Sequence, residues 1–166
     1  ILVPEEFGGS DFGIAGISVI MQELGKTLTP SPLLATSVLG VSTIKLLGSD
    51  EQKKNYLPKI VSGEATTALA VDEGNHHSPF DIEATATLEG DKWTLNGQKV
   101  FIIDGASADF ILIVARTSGK KGESNGLSVF IADKNSAGLE VSQISTADCR
   151  NSVSYTHLRA HETTSD

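Results

Sequence analysis

The spacing of apolar residues changes near Thr66, and this change restricts the chain to a helical part followed by a β part. Before Thr66, apolar residues recur every three or four positions, as in helices with one buried face. After it, apolar and polar residues alternate, as in Ile82–Glu89, which is the pattern of half-buried strands. We therefore predict an α+β chain, with a helical domain over residues 1–63 and a small β domain over residues 64–150.

Three helices are predicted in the first part. The first spans about Ile14–Leu24, and the second spans about Ser31–Leu47, with Ser31 as N-cap and proline at the first helical position. Apolar residues surround the second helix almost completely, so we expect it to be buried from several sides. Ser49 and Gln52 have the spacing of a capping box and predict the start of a third helix.

The β part contains about six short strands with close turns, which predicts a small antiparallel barrel or sandwich. Asn96-Gly97 favours a type I′ turn, because both residues tolerate positive φ. It predicts a hairpin between Lys92–Leu95 and Val100–Ile103. A second turn is predicted at Gly90-Asp91, and the continuously apolar run Phe110–Ala115 is expected to be a central strand.

Composition limits the classes of partner and compartment. The chain has 166 residues, 39% hydrophobic and 20% charged, with a net charge of −8 and no basic run, which argues against nucleic acid. The single Cys149 excludes an internal disulfide and fits a reducing compartment, so we expect a cytoplasmic protein. The longest apolar run, Leu33–Leu47, is too short and too polar to span a bilayer.

Three separated motifs resemble those of the acyl-CoA dehydrogenases. They are PEEFGG at Pro4–Gly9, GSDEQKKNYLPKI at Gly48–Ile60 and LNGQKVFIIDG at Leu95–Gly105. The resemblance covers about Pro4–Asp148. It implies that the helical part is the end of an N-terminal domain and that the β part is the middle domain. The C-terminal four-helix domain of the family is missing, so we expect this chain to be part of a longer protein.

The resemblance implies FAD as cofactor and places its site on the first strand, the loop after it and the strand after Asn96-Gly97. The implied cofactor-binding residues are Ala68, Ala70, Val71, His76, His77, Phe101, Ile102 and Ile103. Backbone groups at Ala68, Ala70 and Val71 would hold the flavin, and Phe101 would offer it an aromatic face. Val71 and Ile103 stand where the family has threonines that contact the flavin.

The loop Val71–Ser78 departs most from the family pattern. His77 stands where the family has a serine near the cofactor pyrophosphate. An imidazole of His76 or His77 near phosphate is one interpretation, and a solvated loop is the other. Adjacent histidine side chains diverge, so no metal site is predicted here.

The implied reaction oxidises the Cα–Cβ bond of an acyl-CoA thioester to the trans-2-enoyl-CoA. In the family the carboxylate base comes from the C-terminal domain, so we predict no catalytic residue in this chain and expect it to be inactive alone. The altered loop also allows a non-catalytic subunit of a hetero-oligomer. The implied partners are an acyl-CoA, an electron-transfer flavoprotein or similar acceptor, and further subunits in a dimer or tetramer.

Residues 151–166 resemble a translated sequencing adapter and not the dehydrogenases, so we predict a non-native tail. His157 and His161 are four residues apart and would share one face of a helix, with Glu162 beside them. No third ligand or general base is placed in a helical context, so we predict no metal site in the tail.

Overall fold

The computed structural model describes residues 1–145, 151–156 and 161–162. These residues form two compact units, one over Ile1–Thr66 and one that begins at Thr67. The first unit is helical and the second is built from strands. This order confirms the α+β class predicted from the change in spacing.

The first unit begins with a short 3-10 turn and continues with helices. The turn covers Glu5–Phe7, and α1 covers Gly13–Lys26. A π-helical segment, Leu33–Val41, continues directly as α2, Ser42–Leu47, and α3 covers Asp50–Ser62. Its buried apolar residues are Leu2, Val3, Ile17, Ala35, Val41, Ile44 and Leu57.

The start of α3 confirms the predicted capping box. The Ser49 hydroxyl accepts a hydrogen bond from the Gln52 backbone N–H at 3.2 Å, and the Ser49 N–H donates to the Gln52 side chain at 2.9 Å. The burial predicted for the second helix is only partly correct. Leu46 and Leu47 of α2 are 80% and 67% exposed, because the first unit packs against the face of Ile44 and not against theirs.

Among its described residues, the second unit has nine strands in two sheets. They are β1 Thr67–Ala70, β2 Thr85–Glu89, β3 Lys92–Asn96, β4 Lys99–Ile103, β5 Phe110–Arg116, β6 Leu127–Asp133, β7 Glu140–Ser145, β8 Asn151–Thr156 and β9 His161–Glu162. One sheet has the order β1-β5-β2-β3-β9, with β6 also paired to β5, and the other has the order β4-β8-β7.

The strand β5 lies at the centre of the larger sheet, as its apolar sequence predicts. It pairs with β6 along its whole length and with β1 over Phe110–Ile113. The pairing with β1 is parallel, so the sheet is mixed and not purely antiparallel as expected from the short turns. Parallel neighbours need a long connection, which local spacing does not reveal.

The turn at Gly90-Asp91 joins β2 and β3 as predicted, with Glu89 opposite Lys92 and Gly90 at φ 66°. The hairpin predicted at Asn96-Gly97 is wrong, because β3 pairs with β2 and β9 whereas β4 pairs with β8. Gly97 is instead a point of close approach. A Cβ there would lie 2.5 Å from the Cβ of Ala84.

The predicted tail is partly included in the fold. The strand β8 pairs with β4 and β7, and the short β9 pairs with β3. Residues 151–156 and 161–162 of the predicted tail thus pair with strands of the second unit, and the origin of the tail in an adapter stays a prediction. His157, which belongs to the metal interpretation considered for the tail, lies outside the described residues.

The core of the second unit lies between the sheets. Its buried residues are Ala68, Ala70, Ile82, Ala84, Ala86, Leu95, Ile102, Ala108, Ile111, Ile113, Ala115, Phe130 and Ala132. The Trp93 ring packs on this cluster, 5.4 Å from the ring of Phe130. Among the described residues, no helix has the length and apolar character needed to cross a bilayer.

Candidate functional site

A bulge in β4 determines which of its side chains face outward. Lys99 and Ile102 are both buried although they are three residues apart, which regular alternation does not allow. The pairing of β4 with β8 shifts register between these two residues, and Phe101 has φ 54°. As a result Phe101 and Ile103 face outward, 51% and 37% exposed.

The strand β1 lies beside β4 and carries two more of the predicted cofactor residues. The side chains of Ala68 and Ala70 are fully buried in the core, so only their backbone groups are available for binding. One edge of β1 pairs with β5. Just after the C-terminal end of β1, the Asp72 carbonyl accepts a hydrogen bond from the Val100 N–H at 2.8 Å. This bond joins the chain after β1 to β4.

The loop after β1 is held by a buried ion pair. The Lys99 ammonium lies 2.7 Å from Oε1 of Glu73 and donates to the Val71 carbonyl at 2.8 Å. Its side chain is fully buried and that of Glu73 is 15% exposed. Burial lowers the pKa of Lys99 from the ordinary lysine value, and the Glu73 carboxylate partly offsets this effect.

The Glu73 carboxylate also accepts two backbone hydrogen bonds from the segment that leads into β2. The Glu83 N–H donates to Oε2 at 2.6 Å, and the Ala84 N–H donates to Oε1 at 2.9 Å. Both carboxylate oxygens are therefore engaged. No role for Glu73 or Lys99 is predicted from the sequence, although a lysine at the start of an apolar run is a signal for such a pair.

His77 pairs with a carboxylate and not with a second histidine. Its Nδ1 lies 3.0 Å from Oδ2 of Asp72, and the Ser78 N–H donates to Oδ1 of the same carboxylate at 3.1 Å. The side chain of His77 is 72% exposed. His76 lies separately on the wall of a polar pocket of about 240 Å³. Among the described residues, no cluster of three or more His, Cys, Asp or Glu is arranged to hold a metal ion.

Arg116 is a second buried cation that the sequence analysis missed. Its guanidinium donates only to backbone carbonyls, including those of Phe80, Ile82, Glu123 and Asn125, at 2.9–3.1 Å. These bonds join the segment before β2 to the loop between β5 and β6. Arg116 therefore stabilises the position of the segment before β2 relative to the loop between β5 and β6.

Two family models match the chain. The acyl-CoA dehydrogenase N-terminal domain matches residues 1–64, and the acyl-CoA dehydrogenase middle domain matches residues 68–162. The chain belongs to the acyl-CoA dehydrogenase family. This membership confirms the resemblance carried by the three motifs. Together the matches account for most of the chain.

Several proteins of known name or structure are similar to this chain. It is 37% identical over 142 residues to cyclohex-1-ene-1-carbonyl-CoA dehydrogenase from Geobacter metallireducens, covering 83% of this chain and 37% of that protein. The acyl-CoA dehydrogenase of Geobacillus kaustophilus superimposes with a TM-score of 0.83 at 28% identity, covering 98% of this chain and 44% of that one. The chain thus spans less than half the length of these relatives.

A third relative is a hetero-complex. The crystal structure of the ChsE4-ChsE5 complex from Mycobacterium tuberculosis matches with a TM-score of 0.84 at 26% identity. The match covers 98% of this chain and 42% of that one. Chains with this fold therefore occur in complexes of two named subunits.

The surface of β4 beside β1 has the chemistry that a flavin ring would need. Phe101 and Ile103 form an outward apolar pair on β4, and β1 lies beside them with its backbone groups. An isoalloxazine has two apolar faces and a polar edge, so this combination fits it. Ile102 is 1% exposed, so its side chain is not part of this surface.

Proposed function

We propose that this chain forms part of the FAD site of an acyl-CoA dehydrogenase that oxidises the Cα–Cβ bond of an acyl-CoA thioester to the trans-2-enoyl-CoA. The observation that carries the proposal is the outward position of Phe101 on β4, beside β1, in a chain that matches two domains of the family. Bound FAD would accept the hydride removed from the substrate.

The residues of this chain would bind and orient the cofactor. Phe101 and Ile103 would cover apolar surface of the ring, and the backbone groups of Ala68, Ala70, Val71 and Ile102 would meet its polar edge. His76 and His77 extend from the exposed loop and would face phosphate oxygens. Val71 and Ile103 have no hydroxyl group, so the backbone would supply the hydrogen bonds that tune the ring.

Two carboxylates of the loop after β1 are committed to other groups. Asp72 accepts from His77 and Ser78, and Glu73 accepts from Lys99 and from two backbone amides. A general base must be free to reach the substrate proton. We therefore expect this chain to bind FAD and to leave acyl-CoA unoxidised unless another part of the whole protein supplies the base.

Titration of FAD into the purified chain tests the proposal. We expect saturable quenching of flavin fluorescence, and affinity that falls about tenfold in Phe101→Ala because an aromatic face is lost. Phe80→Ala is the matched control, since Phe80 is 52% exposed and lies on a loop outside the proposed set. No saturable binding, or equal losses in both variants, would contradict the proposal.

A non-catalytic subunit of a hetero-oligomer is the second candidate function. It is favoured by the apolar side chains of Val71 and Ile103 at the proposed flavin edge and by the likeness to a chain of the ChsE4-ChsE5 complex. The whole protein would be assayed with acyl-CoA and an electron-transfer flavoprotein as acceptor, after its assembly into dimers or tetramers is measured. Turnover by a homo-oligomer would favour the dehydrogenase, and turnover only with a second subunit would favour this alternative.

A further inference from the structure

The buried pair of Lys99 and Glu73 lies where three segments of the second unit meet. Lys99 begins β4, Glu73 belongs to the loop after β1, and the amides of Glu83 and Ala84 precede β2. Three backbone groups lie within hydrogen-bond distance of this carboxylate and ammonium: the Val71 carbonyl and the N–H groups of Glu83 and Ala84. A fully buried lysine is rare and remains stable only with partners of this kind.

The contacts continue from this pair to the exposed end of the loop. The Lys99 ammonium holds the Val71 carbonyl, and the next residue of β4, Val100, donates to the Asp72 carbonyl. The Asp72 carboxylate in turn accepts from His77 and from the Ser78 N–H. The position of the outer loop therefore depends on bonds that begin at Lys99.

The same lysine is two residues from Phe101 on one strand. Lys99 thus joins the loop that carries Val71 and His77 to the strand that carries the outward aromatic ring. We propose that Lys99, through Glu73, is a positioning residue that fixes the 71–78 loop relative to Phe101, so that both present one cofactor surface. This inference rests on the proposed FAD site for its binding readout but not for its structural one.

A matched pair of variants tests the role of Lys99. Lys99→Met removes the buried ammonium, and Lys121→Met removes a surface ammonium that lies at the same 2.7 Å from Oε1 of Glu83. Lys121 is 49% exposed, so its ion pair contributes little. We expect FAD affinity to fall about tenfold in folded Lys99→Met and to stay within about twofold of wild type in Lys121→Met.

Amide hydrogen exchange without FAD supplies the independent readout. In Lys99→Met we expect faster exchange at Ser78, Glu83 and Ala84, whose N–H groups bond to the two loop carboxylates. The Thr117 N–H, which bonds to the Gly126 carbonyl elsewhere in the unit, should exchange as in wild type. A uniform increase at all four amides would mean loss of global stability and would overturn the positioning role.

Glu73→Gln keeps the test decisive if Lys99→Met does not fold. Its amide group presents a donor to a site where Lys99, Glu83 and Ala84 all donate, so it disturbs the pair with almost no change in volume. Folded Glu73→Gln with wild-type exchange at Ser78 and wild-type FAD affinity would overturn the inference. If wild type binds no FAD, the proposed function fails, and the exchange pattern alone decides the role of Lys99.

Discussion

Phe101 adopts a backbone conformation that few residues with a side chain adopt. Its φ of 54° lies in the left-handed region, which costs a residue with a Cβ about 1–2 kcal/mol. The bulge that requires this conformation also buries Ile102 and turns Phe101 outward. An aromatic ring kept there at such a cost is consistent with a binding role.

The strain predicts an inverted order of stability for two variants. At an ordinary strand position a glycine variant is less stable than an alanine variant. At Phe101 we expect the reverse, with the free energy of unfolding of Phe101→Gly about 1 kcal/mol above that of Phe101→Ala. Ile103 lies on the same strand and has no positive φ, so Ile103→Gly should be less stable than Ile103→Ala. Urea unfolding of the four variants measures this, and the usual order at both positions would contradict it.

Lys99 predicts a pH dependence at the alkaline end. Its folded pKa lies below the 10.5 of an ordinary lysine because burial disfavours the charged form. Between the two pKa values the unfolded chain binds more protons at this residue, so its contribution to the free energy of unfolding rises with pH. In urea unfolding, the stability of wild type minus that of Lys99→Met should therefore increase as the pH is raised through the alkaline range below 10.5. A constant or falling difference would contradict the lowered pKa.

At the scale of elements, the connection between β3 and β4 passes from one sheet to the other. Gly97 lies in this connection, where a Cβ would meet the Cβ of Ala84 at 2.5 Å and its Cα at 2.7 Å. The approach brings the chain beside the buried segment that leads into β2. Because Gly97 has no side chain, the chain can pass close to Ala84 between β3 and β4, and β4 pairs with β8 and not with β3.

Gly97→Ala should therefore destabilise the second unit, which contains the strands. Because the backbone of Ala84 must shift to relieve the contact, we expect a loss of about 1–3 kcal/mol in the free energy of unfolding. Gly74→Ala is the control, since a Cβ at Gly74 meets no atom within 4 Å. Equal stability of the two variants in urea unfolding would show that the approach at Gly97 imposes no constraint.

At the scale of the whole molecule, each unit has its own buried core. Each unit also has its own spectroscopic signal. Trp93 is the single tryptophan of the chain and packs on Phe130 in the β unit. The longer helices, which dominate circular dichroism at 222 nm, belong to the first unit. The stability of each unit is thus measurable within one sample.

Ser49→Ala is expected to separate the two signals. Loss of the N-cap at α3 costs about 1 kcal/mol, so the helical transition should shift to lower urea concentration. The transition of Trp93 fluorescence should stay in place, because its core contains no residue of the first unit. A parallel shift of both transitions would show that the two units unfold together.

The sequence by itself determined the features that depend on near neighbours. The spacing of apolar residues predicts the helical and β parts, the Ser49 capping box and the turn at Gly90-Asp91 follow from residues a few positions apart, and the three motifs identify the family. Each of these involves short-range sterics or a local hydrogen bond, which a few consecutive residues encode. Of the cofactor residues, the sequence indicates the strand and the loop that carry them.

The tertiary structure alone decided which strands pair. Asn96-Gly97 favours a local hairpin, yet β4 pairs with the distant strand β8. This pairing contains a bulge, and the bulge allows both Lys99 and Ile102 to be buried. The parallel pairing of Thr67 with Phe110 likewise joins residues far apart in the chain. The partner of Lys99 is a loop glutamate 26 positions away. Such choices depend on the total burial of many separated residues, which no short stretch of sequence specifies.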